Sequence, residues 1–155
     1  MAQPWSKQAA ARFFRNALKS NYAIPDRYLL KLPEMLRQLV EEVDARLSEK
    51  KNSFGDWPTT AINSVRGGAF ESLLNLAARQ KNSGKEIEPW IFELLRARLE
   101  LPDESPAMFA LLGMNLRFLI YLFQKELKQT AGLLFPQNIR IQCYARSLGI
   151  HAGLV

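Results

Sequence analysis

Apolar residues recur every three or four positions along most of this chain, which is the spacing that places them on one face of an α-helix. The pattern is clearest between Trp57 and Leu76, where the apolar stripe consists of Ile62, Val65, Ala69, Leu73 and Leu76. No alternation of apolar and polar residues competes with it to predict strands. The sequence therefore predicts an all-α fold of about six helices, paired antiparallel by short connections.

Capping residues and prolines predict where these helices begin and end. Serine is favoured just before a helix and proline in its first turn, so Ser105 and Pro106 form the clearest start. Gly84 marks an end, because glycine is frequent just after a helix. The predicted helices are Ser6–Ser20, Pro33 to about Lys50, Trp57 to about Gly84, Pro89 to about Leu101, Pro106 to about Thr130, and about Gln137 to Leu148.

Two adjacent glycines, Gly67 and Gly68, lie inside the third predicted helix. Each glycine costs a helix interior about 1 kcal/mol relative to alanine, so we expect another helix to approach closely over the pair. Gly113 has a similar apolar setting in the fifth helix, 46 residues further on. Two-helix repeats of the HEAT and armadillo type have periods of about 40–47 residues. This spacing predicts a HEAT-like helical repeat, with an irregular bundle as the alternative.

Charged residues beside these glycines are predicted to join neighbouring helices. Arg66 and Glu71 lie on either side of the glycine pair, and Arg117 follows Gly113 in the fifth helix. An unpaired charge in a packed interior costs several kcal/mol, so we predict an ion pair between Glu71 and Arg117. The glycine pair is not a phosphate-binding loop, because it lacks both the lysine and the preceding strand of that motif.

The chain has a formal net charge of +6, which favours encounters with nucleic acids and other anionic partners. The basic residues are scattered among acidic ones, so a solvated surface explains them equally well. If the charge is functional, a basic helical nucleic-acid binder is the alternative function. Its phosphate contacts would then be Arg12, Arg15, Lys19, Arg96, Arg98, Lys125 and Lys128.

The residues of common active sites are scarce in this sequence. The chain has one histidine, His151, and one cysteine, Cys143. Two helical turns, about 12 Å, would separate them on a straight helix, which is too far for a nucleophile and its base. We therefore predict no catalytic residue, no metal ligand and no cofactor. The single cysteine also excludes an intramolecular disulfide.

The segment from Pro106 to Phe123 is the one candidate for membrane insertion. It carries Asn115 and Arg117 near its centre, where an arginine is costly in a bilayer. We therefore interpret it as a buried helix of a soluble protein and expect no membrane partner. The N-terminus lacks the apolar stretch of a signal peptide, which favours the cytoplasm.

Two segments carry a resemblance to a known group of proteins. The stretch Ala61–Leu74, with its string Asn-Ser-Val-Arg-Gly-Gly, resembles a segment in the helical C-terminal regions of bacterial STAND-class NTPases and SIR2-associated anti-phage defence proteins. Ala110–Leu119 is similar to the next helix of such regions, and the resemblance covers about Asp56 to Lys128. A Walker motif and a deacetylase-like domain are absent from this sequence.

The resemblance implies a scaffold or sensor module without the enzyme. We therefore expect residues 1–155 to form a single α-helical module that recognises a protein partner, either by itself or as a piece of a longer protein. The apolar ending at Leu154 and Val155 supports docking to a partner or to the remainder of a larger chain, because solenoid repeats need polar caps.

Overall fold

A computed structural model describes residues 4–20, 24–41, 57–101 and 104–134. Within these ranges the chain is helical and forms no strand, which confirms the all-α prediction. The sixth predicted helix, Cys143 and His151 lie outside the described residues, as do residues 42–50 of the second predicted helix. The helices are α1 (Pro4–Lys19), α2 (Asp26–Leu29), α3 (Leu32–Glu41), α4 (Trp57–Ile62), α5 (Val65–Asn82), α6 (Pro89–Leu99), α7 (Pro106–Met114) and α8 (Leu116–Leu134).

The third predicted helix is in fact two helices, α4 and α5, with a break at Asn63 and Ser64. Ser64 has an extended backbone, and its side-chain oxygen accepts a hydrogen bond of 2.8 Å from the Gly67 amide. The same hydroxyl donates to the carbonyl of Ala61 at 2.7 Å. A serine that caps one helix while binding the end of the preceding one stabilises a corner. Gly67 and Gly68 therefore lie in the first turn of α5 rather than in mid-helix.

Neighbouring helices approach both glycines closely. A Cβ atom at Gly67 would lie 1.9 Å from the carbonyl oxygen of Ala61, in the preceding helix α4. A Cβ atom at Gly68 would lie 3.1 Å from the Cβ atom of Ala11, where α1 crosses α5. Small residues let helix backbones come together, so this pair permits both the sharp α4–α5 corner and the α1 crossing.

The fifth predicted helix also consists of two helices. Its start at Ser105 is confirmed, because the serine oxygen accepts a hydrogen bond of 3.1 Å from the amide of Ala107. It ends early at Asn115, whose side-chain amide donates to the carbonyl of Leu111 at 2.9 Å. The chain then turns by 87° into α8. In the described part of the chain, no single helix is both long enough and apolar enough to cross a membrane. The bent pair of α7 and α8 has the length and the apolarity only when the two helices are taken together.

Helix α5 lies at the centre of the described structure. It contacts α1 most extensively and also contacts α3, α4, α6 and α8, while α4 packs on α7. Its buried side chains point in most directions and include Ala69, Phe70, Leu73, Leu74, Leu76 and Ala77. Gly67 is the third residue of α5, whereas Gly113 is the last but one of α7, so the two glycines do not hold equivalent positions. Helices arranged around one central helix favour the irregular bundle over the repeat.

Candidate functional site

Three charged side chains meet in the interior between α5, α6 and α7. The Glu104 side chain, just before α7, is 1% exposed. One of its oxygens, Oε1, accepts hydrogen bonds of 2.8 Å from Arg66 Nη1 and from the Ser105 amide. The other, Oε2, lies 2.8 Å from Arg98 Nε and 2.7 Å from Arg98 Nη2. Two arginines and one amide thus compensate the desolvation of one carboxylate.

This buried ion cluster of Arg66, Arg98 and Glu104 also binds α3. The Arg66 Nε atom donates to the carbonyl of Val40, in the last turn of α3, at 3.1 Å. Arg66 was predicted to join neighbouring helices, and it does, but its partner Glu104 was not among the predicted residues. Both oxygens of Glu104 accept hydrogen bonds from arginines, so the carboxylate holds α5 and α6 against the start of α7.

The predicted ion pair between Glu71 and Arg117 is wrong. Glu71 instead pairs with Arg15 of α1, with 3.1 Å between Arg15 Nη1 and Glu71 Oε2. Arg15 Nη1 also lies 3.3 Å from the carbonyl oxygen of Ile62, which is the last residue of α4. The turn of 87° between α7 and α8 removes the single straight helix on which the prediction relied, and Arg117 is exposed on α8.

An open cleft lies beside the Arg15–Glu71 pair, where α1, α5 and the start of α8 meet. Its volume is about 330 Å³, near the lower end of the range for small-ligand pockets. Most of its lining is polar, with Leu74 and Phe118 as the apolar members. We call it the asparagine cleft, and its lining residues are Arg15, Asn16, Lys19, Glu71, Leu74, Asn75, Asn115 and Phe118.

The polar groups of the asparagine cleft differ in how far the fold already uses them. Arg15 is bound to Glu71, and Asn115 uses its amide nitrogen to bind Leu111. By contrast, the side chains of Asn16 and Asn75 have no hydrogen-bond partner among the described residues, and the exposed Lys19 forms no ion pair with any of them. The cleft therefore offers unused donors, acceptors and one cation to a ligand.

The fold uses the seven residues predicted to contact phosphates in different ways. Arg15 and Arg98 are bound in the ion pairs described above, and Arg96 pairs with Glu100 at 3.4 Å. The other four are exposed and lie on α1 and α8: Arg12, Lys19, Lys125 and Lys128. Three of the seven cations therefore pair within the fold. Of the four exposed ones, Lys19 also lines the asparagine cleft.

A second, wider depression of about 690 Å³ lies between α3 and the end of α5. Leu32 and Leu76 form part of its floor, while Arg79, Lys85 and Glu86 lie at its rim. Arg79 is already engaged, because its Nη1 atom donates to the carbonyl of Ser20 at 3.0 Å and so caps α1. This depression is wider than the asparagine cleft, and it lacks the three side-chain amides that come together there.

Comparisons of the chain with known protein families, with curated proteins and with solved structures find no significant match. Within the described ranges, no three side chains among histidine, cysteine, aspartate and glutamate lie close enough together to hold a metal ion.

Proposed function

We propose that this chain is a non-enzymatic helical module that recognises a protein partner through the asparagine cleft. The observation that carries the proposal is the contrast between the two polar sites. The buried ion cluster has its carboxylate saturated by arginines, whereas the open cleft keeps two asparagine side chains and Lys19 without partners among the described residues. Polar groups that converge on a concave surface are one feature of binding sites, because they orient a ligand.

The proposed setting is the scaffold or sensor part of a bacterial defence or signalling protein. This part of the proposal rests on the resemblance of Ala61–Leu74 and Ala110–Leu119 to such regions. The first segment forms the α4–α5 corner and carries Glu71, and the second contains Asn115, so both contribute to the wall of the cleft. In that setting the module would recognise a partner, and the effector activity would belong to another part of the protein.

A display library of bacterial genomic fragments, screened against the full chain, tests the proposal. Asn75→Arg places a long side chain in the cleft, and Gln124→Arg adds the same group on the exposed face of α8. We expect partners of the wild-type chain to bind Gln124→Arg equally and to lose at least about tenfold in affinity with Asn75→Arg. Unchanged circular dichroism and melting temperature would show that both variants fold.

Two results would overturn the proposal. One is a set of partners that bind Asn75→Arg as tightly as the wild-type chain. The other is the absence of protein partners together with retention on duplex DNA. If that retention falls steeply with salt and weakens in Arg12→Gln and Lys19→Gln, the chain is a basic nucleic-acid binder instead.

A further inference from the structure

The asparagine cleft presents side-chain amides from three sides. Asn16 comes from α1, Asn75 from α5, and Asn115 from the junction of α7 and α8. A side-chain amide carries an acceptor oxygen and a donor nitrogen, the same pair of groups that a peptide bond presents. Asn115 already donates to Leu111, but its side-chain oxygen and the amides of Asn16 and Asn75 remain, and together they match a ligand that is itself rich in amides.

Asn75 is the asparagine for which a partner matters most. It lies on the central helix α5 between the buried residues Leu74 and Leu76, and its own side chain is half-buried. Asn75 forms no side-chain hydrogen bond with the described residues, so its donor and its acceptor are both available to a ligand in the cleft. The half-buried position holds this amide in the wall of the cleft, and the site therefore suits a ligand with hydrogen-bonding groups.

The charge at the cleft indicates which side chain the ligand carries. The carboxylate of Glu71 offsets Arg15, so Lys19 is the uncompensated charge of the lining. Arg12 is exposed on the same face of α1. It lies one turn before Asn16 and two turns before Lys19. The rim along α1 is therefore positive and suits an acidic group.

We propose that the asparagine cleft binds the main chain of a short extended peptide segment of a protein partner. An aspartate or glutamate of that segment lies beside Lys19, and an apolar side chain packs against Leu74 and Phe118. The segment is extended because a helix satisfies its own peptide groups and leaves none for the asparagines. This inference rests on the proposed function and specifies the partner's chemistry.

Binding of a small peptide by the labelled full chain tests the inference. The probe is acetyl-Ala-Leu-Glu-Leu-Ala-amide, titrated to millimolar concentration while the side-chain amide signals of Asn16, Asn75 and Asn115 are followed by NMR. We expect all three signals to shift. The same peptide with glutamine for glutamate should bind several-fold more weakly, and a peptide N-methylated at the central residue should lose about tenfold, because it lacks the main-chain donor.

Two matched pairs of variants separate the contributions of amide and charge. Asn75→Ala should lose about tenfold in peptide affinity, while Gln124→Ala on the exposed face of α8 keeps it. Lys19→Gln should remove the preference for glutamate over glutamine and leave the glutamine peptide unaffected. Lys125→Gln makes the same change in net charge outside the cleft and should keep that preference.

Unshifted asparagine signals, or equal binding of the N-methylated peptide, would overturn the inference. Loss of the glutamate preference in Lys125→Gln would also contradict it, since net charge would then explain the effect. These failures are distinguishable from failure of the proposed function. If genomic fragments still bind in a way that Asn75→Arg abolishes, the cleft recognises a folded surface, and the proposed function stands without the peptide.

Discussion

Glu104 shows at the scale of a single residue how this fold tolerates charge in its interior. Its carboxylate accepts from Arg66, Arg98 and the backbone of Ser105, and Arg66 in turn holds the last turn of α3. A buried ion pair adds little free energy over a well-packed apolar substitute, but it leaves a large penalty when one member is removed. The cluster therefore makes the placement of four helices depend on one carboxylate.

Replacing Glu104 by alanine should lower the free energy of unfolding by about 3–5 kcal/mol, because two arginines lose the charge that compensates their burial. Urea unfolding followed by circular dichroism measures the change. The matched control is Glu100→Ala, which removes an exposed carboxylate from its pair with Arg96 and should cost no more than about 1 kcal/mol. Equal losses in the two variants would mean that the buried ion cluster contributes no more than a surface pair.

At the scale of the helix, the α4–α5 corner depends on the absence of a side chain at Gly67. A Cβ atom there would lie 1.9 Å from a backbone oxygen, which cannot move away as a flexible side chain could. Gly67→Ala should therefore destabilise the protein by about 1–3 kcal/mol or more, despite the better helix propensity of alanine.

Gly68→Ala is the informative comparison for this corner. A Cβ atom there meets Ala11 at 3.1 Å, a contact that a small shift of α1 relieves. Its destabilisation should be smaller than that of Gly67→Ala, because the gain in helix propensity of about 1 kcal/mol offsets part of the contact. Thermal and urea unfolding of both variants check the order, and a Gly67→Ala protein as stable as the wild type would contradict it.

Helix ends show where sequence reasoning reached its limit. The starts at Pro89 and Ser105–Pro106 were predictable, because proline and a preceding serine are strong local signals. The breaks at Ser64 and Asn115 were not, since apolar residues keep a helical period across both of them. Serine and asparagine also occur inside helices, so their capping role emerges only when the corner has been formed by tertiary packing.

The two polar sites were less predictable than the helices. Sequence reasoning identified Arg66 and Glu71 as residues that join helices, but it could not assign their partners Glu104 and Arg15. The partners of these two residues depend on the corners at Ser64 and Asn115, because the corners set which helices lie side by side. The asparagine cleft could not be predicted at all, because its three asparagines lie on three elements that only the bundle brings together.

At the scale of the whole molecule, the central position of α5 predicts how the protein opens. Peripheral helices such as the single turn α2 can separate while the rest of the described core stays packed. Opening α5 would instead remove its contacts with α1, α3, α4, α6 and α8 together. Regions whose local opening exposes little surface exchange their amide hydrogens early, whereas those at the centre exchange only with global unfolding.

Native-state hydrogen exchange should therefore be slowest for amides between Phe70 and Ala77 of α5 and faster in α2. With added denaturant, the α5 amides should follow the free energy of global unfolding, and those of α2 should show a smaller dependence. The Glu104→Ala variant supplies the control, because it weakens the global transition and should accelerate α5 in proportion. If α5 exchanged as fast as α2, the bundle would not be organised around this helix, and the asparagine cleft would lose its rigid wall.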